Sequence, residues 1–295
     1  MMKKKYLLPC IFLIMISVQV CTDSGFAAGT ASGTSRNDDF ASLQKQLVQD
    51  GFHAEQVKKL YGNAAVYFDT KGVSLYFVHR ESKLNYDQFL DAEPIRKAKV
   101  YMAENRNALN RAGQVYGVSP RVITAILLVE TRLGTYVGNR LVFNTLSTMS
   151  ALSDLNVRKR LWQEVAAETR LSKKEFEEKA RKKSGWAYQE LRAFLRYTAK
   201  ENLNPLEIIG SYAGAMGYCQ FMPSNIPLYA RDGNGDGRID LFTHADAILS
   251  IASYLHHYGW RTGISREKAF RVVYKYNHSK YYVNTVLKIA DRLGG

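Results

Sequence analysis

The chain has 295 residues, 46% of them apolar, with 41 Lys and Arg against 27 Asp and Glu and a formal charge of +14. That length supports one large domain or two small ones with an ample core. Of the three cysteines, Cys10 and Cys21 fall in an N-terminal leader, so Cys219 stands alone, an internal disulfide is excluded, and the fold must rest on its core and any metal.

The leader reads MMKKKYLLPCIFLIMISVQVCTDSGFAAG. Three lysines precede an apolar run from Tyr6 to Val20, and small residues follow. This pattern predicts a secretory signal peptide over 1–28, because the run is short for a membrane span and has cleavage chemistry behind it. The alternative is lipidation at Cys21, although bulky Val20 occupies a position where a small residue is wanted. Lys3, Lys4 and Lys5 against Asp23 account for +2 of the charge, leaving +12 on the mature chain. A basic exported protein in the periplasm suits an anionic envelope polymer or lipid surface, and export argues against nucleic acid.

Residues 29–37 are rich in Gly, Ser and Thr and predict a disordered mature N-terminus. Residues 38–94 read as an N-terminal helical region. DDFASLQKQLVQDG has Phe40, Leu43, Leu47 and Val48 at helical spacing and a stop at Gly51. A short helix follows at AEQVKKLYG, whereas AAVYFDTKGVSLYFV has aromatics without a clean period. The segment 94–116 reads as helix. In VSPRVITAILLVETRLG, Ser119 is placed to cap and Pro120 takes the first helical position, where a missing N–H costs nothing. Only Thr124 is polar between Val122 and Val129, so this helix is buried on nearly every side. A charged helical segment covers 151–184, a Gly/Ala turn region covers 204–224, and THADAILSIASYLHHYG and SKYYVNTVLKIADRLGG predict two closing helices. The chain is mainly α.

Glu130 ends the apolar helix beside Ile123, Ile126 and Leu127. A carboxylate on that face is shielded from water, which disfavours its charged form and suits a general acid; the alternative is a buried Glu paired with an Arg. In GSYAGAMGYCQFMPS, Gly210, Gly214 and Gly217 allow close backbone approach, Tyr212, Tyr218 and Phe221 supply flat apolar faces, and Ser211 and Gln220 supply hydrogen-bonding groups. A sugar-binding groove needs that mixture, although a tight helix crossing would use the same residues. In YKYNHSKYY, tyrosines flank Asn277, and Ser279 can cap the last helix.

RDGNGDGRID places Asp232, Asn234 and Asp236 at alternating positions before Gly237, like the start of an EF-hand loop, but Thr243 stands where the closing carboxylate belongs.

Taken together, ALNRAGQVYGVSPRVITAILLVETRLGTYVGN, LNPLEIIGSYAGAMGYCQFMPS, DGNGDGRIDLFTHADAILSIASYLHHYGW and YNHSKYYVNTVLKIADRL resemble the membrane-bound lytic murein transglycosylase B family, glycoside hydrolase family 103, over about residues 108–292. The resemblance implies a lysozyme-like core, here 95–295, that cleaves the MurNAc–GlcNAc bond of peptidoglycan and leaves a 1,6-anhydro ring. It implies that Glu130 is the single catalytic acid and then base, that the substrate's N-acetyl group stabilises the cationic centre, and that Ser211, Gln220, Tyr276, Asn277 and Tyr282 line the groove. Tyr86, in LNYDQFL, maps onto a substrate-side tyrosine. The resemblance also implies a single structural calcium clip of Asp232, Asn234, Asp236, the Arg238 carbonyl and Asp246, across 232–246, with Asp246 replacing the missing twelfth ligand. A capping box between Thr243 and Asp246 is the competing reading. No organic cofactor is expected. The partners expected are peptidoglycan glycan strands and other cell-wall enzymes, and the protein is expected to be a monomer.

Three departures accompany the resemblance. Only Arg261–Lys275 join the GW that follows the metal loop to YN, where fuller members carry a small β-rich domain. A helical insertion occupies about 150–180 and leaves Lys182 and Lys183 where the family has two arginines; lysine cannot reproduce a bidentate guanidinium contact. Cys219 replaces a glycine and is expected to be a buried structural thiol. The alternatives are a lysozyme-like hydrolase that uses water, which would call for a second carboxylate, a catalytically silent peptidoglycan-binding scaffold, and a calcium-dependent adhesin.

Overall fold

The computed structural model describes residues 38–78 and 85–294. The expected leader, the 29–37 tail and Cys21 lie outside the described residues.

A 3-10 turn at Asp38–Phe40 leads into α1 (Ala41–Gln49), followed by α2 (Ala54–Tyr61) and α3 (Thr70–Val78). Phe40, Leu43 and Leu47 are buried as their spacing predicts, but Val48 is 40% exposed, because it sits one step round the helix from the stripe. A second 3-10 turn, Asp87–Leu90, precedes α4 (Ala92–Glu104) and α5 (Arg106–Tyr116). The expected continuous helix over 94–116 is therefore broken at Asn105, whose backbone amide and Nδ2 both donate to the Tyr101 carbonyl, at 2.9 and 3.1 Å, and close α4.

The chain leaves α5 through Gly117 in the left-handed region and enters α6 (Pro120–Thr131). Ser119 holds the N-cap position without a capping hydrogen bond from its side chain, so Pro120 carries the helix start. Every residue from Val122 to Thr131 is buried. The β-branched residues here cost helix propensity of at most about 0.7 kcal/mol each. Burial of each Ile or Leu returns about 1.5–3 kcal/mol, so packing decides the conformation. Thr124 settles its hydroxyl on the Pro120 carbonyl at 2.9 Å.

After β1 (Arg140–Leu141) comes α7 (Val142–Ala151), all ten of whose residues are buried. The charged segment then divides into α8 (Leu155–Val165) and α9 (Lys173–Lys200). Its division is a capping box: the Ser172 hydroxyl accepts from the Glu175 amide while the Glu175 carboxylate accepts from the Ser172 amide. β2 (Ile209–Gly210) pairs antiparallel with β1, Arg140 opposite Gly210 and Leu141 opposite Ile209. A 3-10 turn at Pro223–Asn225 and the short α10 (Ile226–Tyr229) lead to the metal-type loop, then to α11 (His244–His257), α12 (Arg266–Tyr276) and α13 (Lys280–Arg292). α12 occupies the segment expected only as a join. Ala269, Val272, Val273 and Tyr276 form its buried stripe, and the Ser265 hydroxyl accepts from the Lys268 amide at its start.

Two groups of helices share the core. α6 packs against α4, α5, α11 and α13, and α7 packs chiefly against α9 and also against α1 and α3. Between them run β2 and the loop to Asn225. Among the described residues no single helix is long and apolar enough to cross a membrane.

Candidate active site

Glu130 lies in the last turn of α6 and is 7% exposed. Its Oε1 accepts a 2.6 Å hydrogen bond from the hydroxyl of Tyr282, a fully buried residue in the first turn of α13. Ser279 starts that helix by accepting the Tyr282 amide at 3.3 Å, so the cap read from the sequence also positions the phenol. Burial and the facing Glu130 carboxylate push the Tyr282 phenol well above its ordinary range, so it stays protonated and remains a donor. Tyr86 closes this corner, its ring edge-on to Tyr282 at 6.4 Å and 88°. Helices α6 and α13 thus meet at one carboxylate, and the segment before the 87–90 turn packs against the Tyr282 ring.

The chain turns abruptly after Glu130. Arg132 and Leu133 both take positive φ, 51° and 64°. For residues other than glycine such a conformation costs about 1–3 kcal/mol each and must be held from outside. Thr131 supplies part of that restraint. Its hydroxyl donates to the Tyr218 carbonyl at 3.0 Å and accepts the Gly134 amide at 3.0 Å.

The 210–225 stretch builds no helix crossing. It is a knot of tight turns in which Gly210 pairs with Met216, and Met216 with Phe221. A Cβ on Gly210 would fall 2.2 Å from the Ala215 carbonyl oxygen, and Gly217, at φ 74°, would meet Leu241 at 2.4 Å. Both positions therefore demand glycine. Ser211 is buried, and its hydroxyl accepts the amides of Ala213 and Ala215. Gln220 stands at φ 49° and donates its side-chain amide to the carbonyls of Val137 and Gly217 at 3.2 and 3.0 Å. The Tyr276 hydroxyl donates to the Cys219 carbonyl at 2.5 Å. Cys219 is a buried free thiol whose pKa burial pushes far up, in keeping with a structural role. Asn277 is buried and turns the chain between α12 and α13 by accepting the Ser279 amide at 3.1 Å. Among the expected groove residues, Tyr282 meets Glu130 and Tyr86 packs edge-on to Tyr282, whereas Ser211, Gln220, Tyr276 and Asn277 have contacts that shape the surrounding loops.

Lys182 and Lys183 lie on α9. Lys182 is exposed, and the Lys183 ammonium sits over the Trp186 ring at 4.9 Å. Burial, with Lys179 and Lys182 nearby, lowers the Lys183 pKa to about 8. One turn back, Lys179 lies over Phe77 of α3, so this surface belongs to the α3–α9 side of the fold rather than to the Tyr282 corner.

Sequence reasoning missed Glu190. It sits on the apolar stripe of α9, is 4% exposed, and accepts both the amide and the hydroxyl of Ser224 at 2.8 Å. It thereby anchors the turn that ends the Gly/Ala stretch, and burial raises its carboxyl pKa. The signal was a Glu between Ala187, Leu191 and Phe194.

The 232–246 loop is closed by its own hydrogen bonds. Asp232 accepts the amides of Gly235 and Gly237 at 2.6 and 2.8 Å, which holds its carboxyl below the usual range. Asp236 accepts from Arg238 and from the Asn234 side chain, each at 2.8 Å. Asp246 is 1% exposed and accepts the amides of Gly233 and Asp240 at 2.9 and 2.7 Å. It ties the two ends of the loop together, and Thr243 caps no amide, so the capping-box reading is set aside. Among the described residues, no three His, Cys, Asp or Glu side chains converge as a metal-binding group.

The transglycosylase SLT domain family profile matches residues 35–267. Membrane-bound lytic murein transglycosylase B of Escherichia coli (strain K12) is 36% identical over 176 residues, 60% of this chain and 41% of that protein. The match therefore spans about two fifths of the length of that curated relative. The Escherichia coli lytic transglycosylase Slt35 in complex with calcium superposes with a TM-score of 0.71 at 24% identity, covering 88% of this chain and 93% of that one. SltB1 from Pseudomonas aeruginosa gives 0.70 at 24% identity over 86% and 97%. SltB3 from the same organism, in complex with NAG-anhNAM-pentapeptide, gives 0.69 at 22% identity over 89% and 80%. At these identities the structural likenesses establish the lysozyme-like fold.

Proposed function

The chain belongs to the transglycosylase SLT domain family, and from that premise we propose that it is a lytic transglycosylase of peptidoglycan with Glu130 as its acid and base. The observation that carries this reading is the 2.6 Å bond from Tyr282 to a carboxylate buried at the end of an apolar helix. Burial works against the charge on Glu130, and the phenol works for it. A group that must give a proton and then take one needs both states within reach.

In the first step the protonated Glu130 donates to the glycosidic oxygen as the bond from that oxygen to C1 of the muramoyl residue breaks. Tyr282 stabilises the carboxylate charge that develops. In the second step the carboxylate takes the proton of the C6 hydroxyl, whose oxygen bonds to C1 and closes the 1,6-anhydro ring. The substrate's N-acetyl group shields the cationic centre between the steps. A water-using hydrolase would call for a second carboxylate at the reacting centre. Glu190, the buried carboxylate that the sequence did not single out, is committed to Ser224.

Calcium is the metal the 232–246 loop would hold. Asp232, Asn234, Asp236, the Arg238 carbonyl and Asp246 would supply oxygen ligands of the hard type that suits it. Bound there, the ion would fix the loop against α11 and take no part in proton transfer. Export to the periplasm with cleavage near residue 29, and the division into a 38–94 helical region and a 95–295 core, belong to the same reading. The membrane-bound relative supports the envelope location; cleavage near residue 29, against lipidation at Cys21, rests on the sequence alone.

Mass spectrometry of products from purified sacculi tests the proposal. Muropeptides with 1,6-anhydro ends are expected, and reducing ends would refute it.

A further inference from the structure

Glu130 is the penultimate residue of α6, so its carboxylate can be no better placed than the helix end that carries it. The Arg132 amide closes that end on the Leu128 carbonyl, and the Leu133 amide reaches back to the Leu127 carbonyl, each at 3.0 Å. A helix commonly closes through one left-handed residue, usually glycine. Here two successive non-glycine residues, Arg132 and Leu133, hold that conformation. The turn is not self-supporting, and whatever holds it also holds Glu130.

A buried hydroxyl supplies support from outside the helix. Thr131, next to Glu130 and 1% exposed, donates to the Tyr218 carbonyl at 3.0 Å. It accepts the Gly134 amide at 3.0 Å, on the far side of the strained pair. The Leu127 carbonyl of its own helix, at 3.4 Å, is the poorer acceptor. Tyr218 is itself fixed: its amide donates to the Leu241 carbonyl at 2.8 Å, and its ring stacks on His244 at 4.6 Å. The Thr131 hydroxyl thus fastens the end of α6 to the Gly/Ala stretch across 87 positions of sequence.

Tyr282 reaches Glu130 from the other side, on α13, whose start is set by Ser279. The 2.6 Å contact therefore joins two separately anchored helix ends. A shift of about half an ångström at either end takes it out of the short, charge-assisted range. We infer that Thr131 is a positioning residue for Glu130: its hydroxyl, held on the Tyr218 carbonyl, fixes the end of α6 so that the carboxylate meets the Tyr282 phenol. Its effect on turnover rests on the lytic reading above; its effect on the contact does not.

Thr131→Val keeps the β-branched shape and deletes the hydroxyl, whereas Thr131→Ser keeps the hydroxyl and deletes the methyl. Circular dichroism controls for folding, and turnover is measured on purified sacculi. Thr131→Val should lose about ten- to hundredfold in kcat with KM within about twofold, because misplacing a reacting group acts on the chemical step. Thr131→Ser should keep kcat within about threefold of wild type, although the missing methyl lowers its melting temperature. In a Tyr282→Phe background the Val substitution should cost less than about threefold, because the bond through which it acts is already gone. Crystal structures of the wild type and Thr131→Val give a readout that needs no reaction: in the variant the Tyr282–Glu130 contact should lengthen beyond about 3 Å. A Val variant that melts lower but keeps wild-type kcat and contact would overturn the inference. So would equal kcat losses in Val and Ser, or full additivity with Tyr282→Phe. If Thr131→Val does not fold, Thr131→Cys, which offers only a weak donor, is judged by the same criteria. A folded wild-type protein inactive on sacculi would sink the lytic reading, and the crystal contact would then decide the role of Thr131 by itself.

Discussion

Replacing Tyr282 by Phe removes one oxygen and keeps the ring, so packing against Tyr86 and the core is preserved. The lost contact is a 2.6 Å bond from a fully buried phenol to Glu130. A hydrogen bond to a charged group contributes about 1.5–3 kcal/mol, and this donor serves the charged form of the carboxylate. In the proposed reaction that charge grows as Glu130 gives up its proton. Losing the donor should therefore cost about that much in the transition state, a fall in kcat of roughly ten- to hundredfold. The pH dependence gives an independent sign. Without the phenol the charged carboxylate is less favoured, so the acid form persists to higher pH. The alkaline limb of the pH–rate profile should then move to higher pH. The stability gap between wild type and variant should narrow as pH falls and the carboxylate protonates, because the bond to the charged form then has nothing to act on. The assay is release of soluble muropeptides from sacculi across pH, with melting curves on the same samples. An unchanged alkaline limb in a folded Tyr282→Phe protein would refute the argument that this phenol tunes the reacting carboxylate.

Glu130→Gln should retain the fold and lose about two to four orders of magnitude in turnover, measured by product mass spectrometry; substantial activity in the folded variant would remove Glu130 from its role. Gln220→Ala deletes two donors to loop carbonyls and leaves a non-glycine at positive φ, so a stability loss of about 1–3 kcal/mol is expected together with reduced activity; normal turnover per folded molecule would make it purely a packing residue. Glu190→Ala should lower stability by about 1–3 kcal/mol in urea unfolding, because it removes a buried carboxylate that accepts both the amide and the hydroxyl of half-buried Ser224; an unchanged midpoint would show that solvent replaces the bond. Calcium should raise the melting temperature of the wild type by several degrees, since ligand at a hundredfold over Kd stabilises by about 2.7 kcal/mol. Asp236→Ala should abolish that response, and a wild-type melting curve indifferent to calcium and chelator would mean that the loop does not bind it.

Some of this protein was legible from residue order alone, because the relevant physics is local. The apolar run before Glu130 announces a buried helix, and the Ser279 cap satisfies an amide three residues away; the Ser172–Glu175 capping box, equally local, went unread and divides what was expected as one helical segment. Gly210 and Gly217 mark close approaches that no side chain can enter. Helix α12 could have been read in the same way, from Ala269, Val272, Val273 and Tyr276. The fully buried α7 offered no such period, since a helix covered on every side has no polar face to mark its phase. The rest depended on long-range neighbours. That Tyr282 reaches Glu130 across 152 positions of sequence, that Glu190 is satisfied by Ser224, and that Lys183 rests on Trp186 are outcomes of helix packing. Which residue meets the Glu130 carboxylate and which one braces the loop beside it was likewise decided by packing in three dimensions. Residue type states which hydrogen bonds a side chain can make, but only the packed fold decides which partner is close enough to take them.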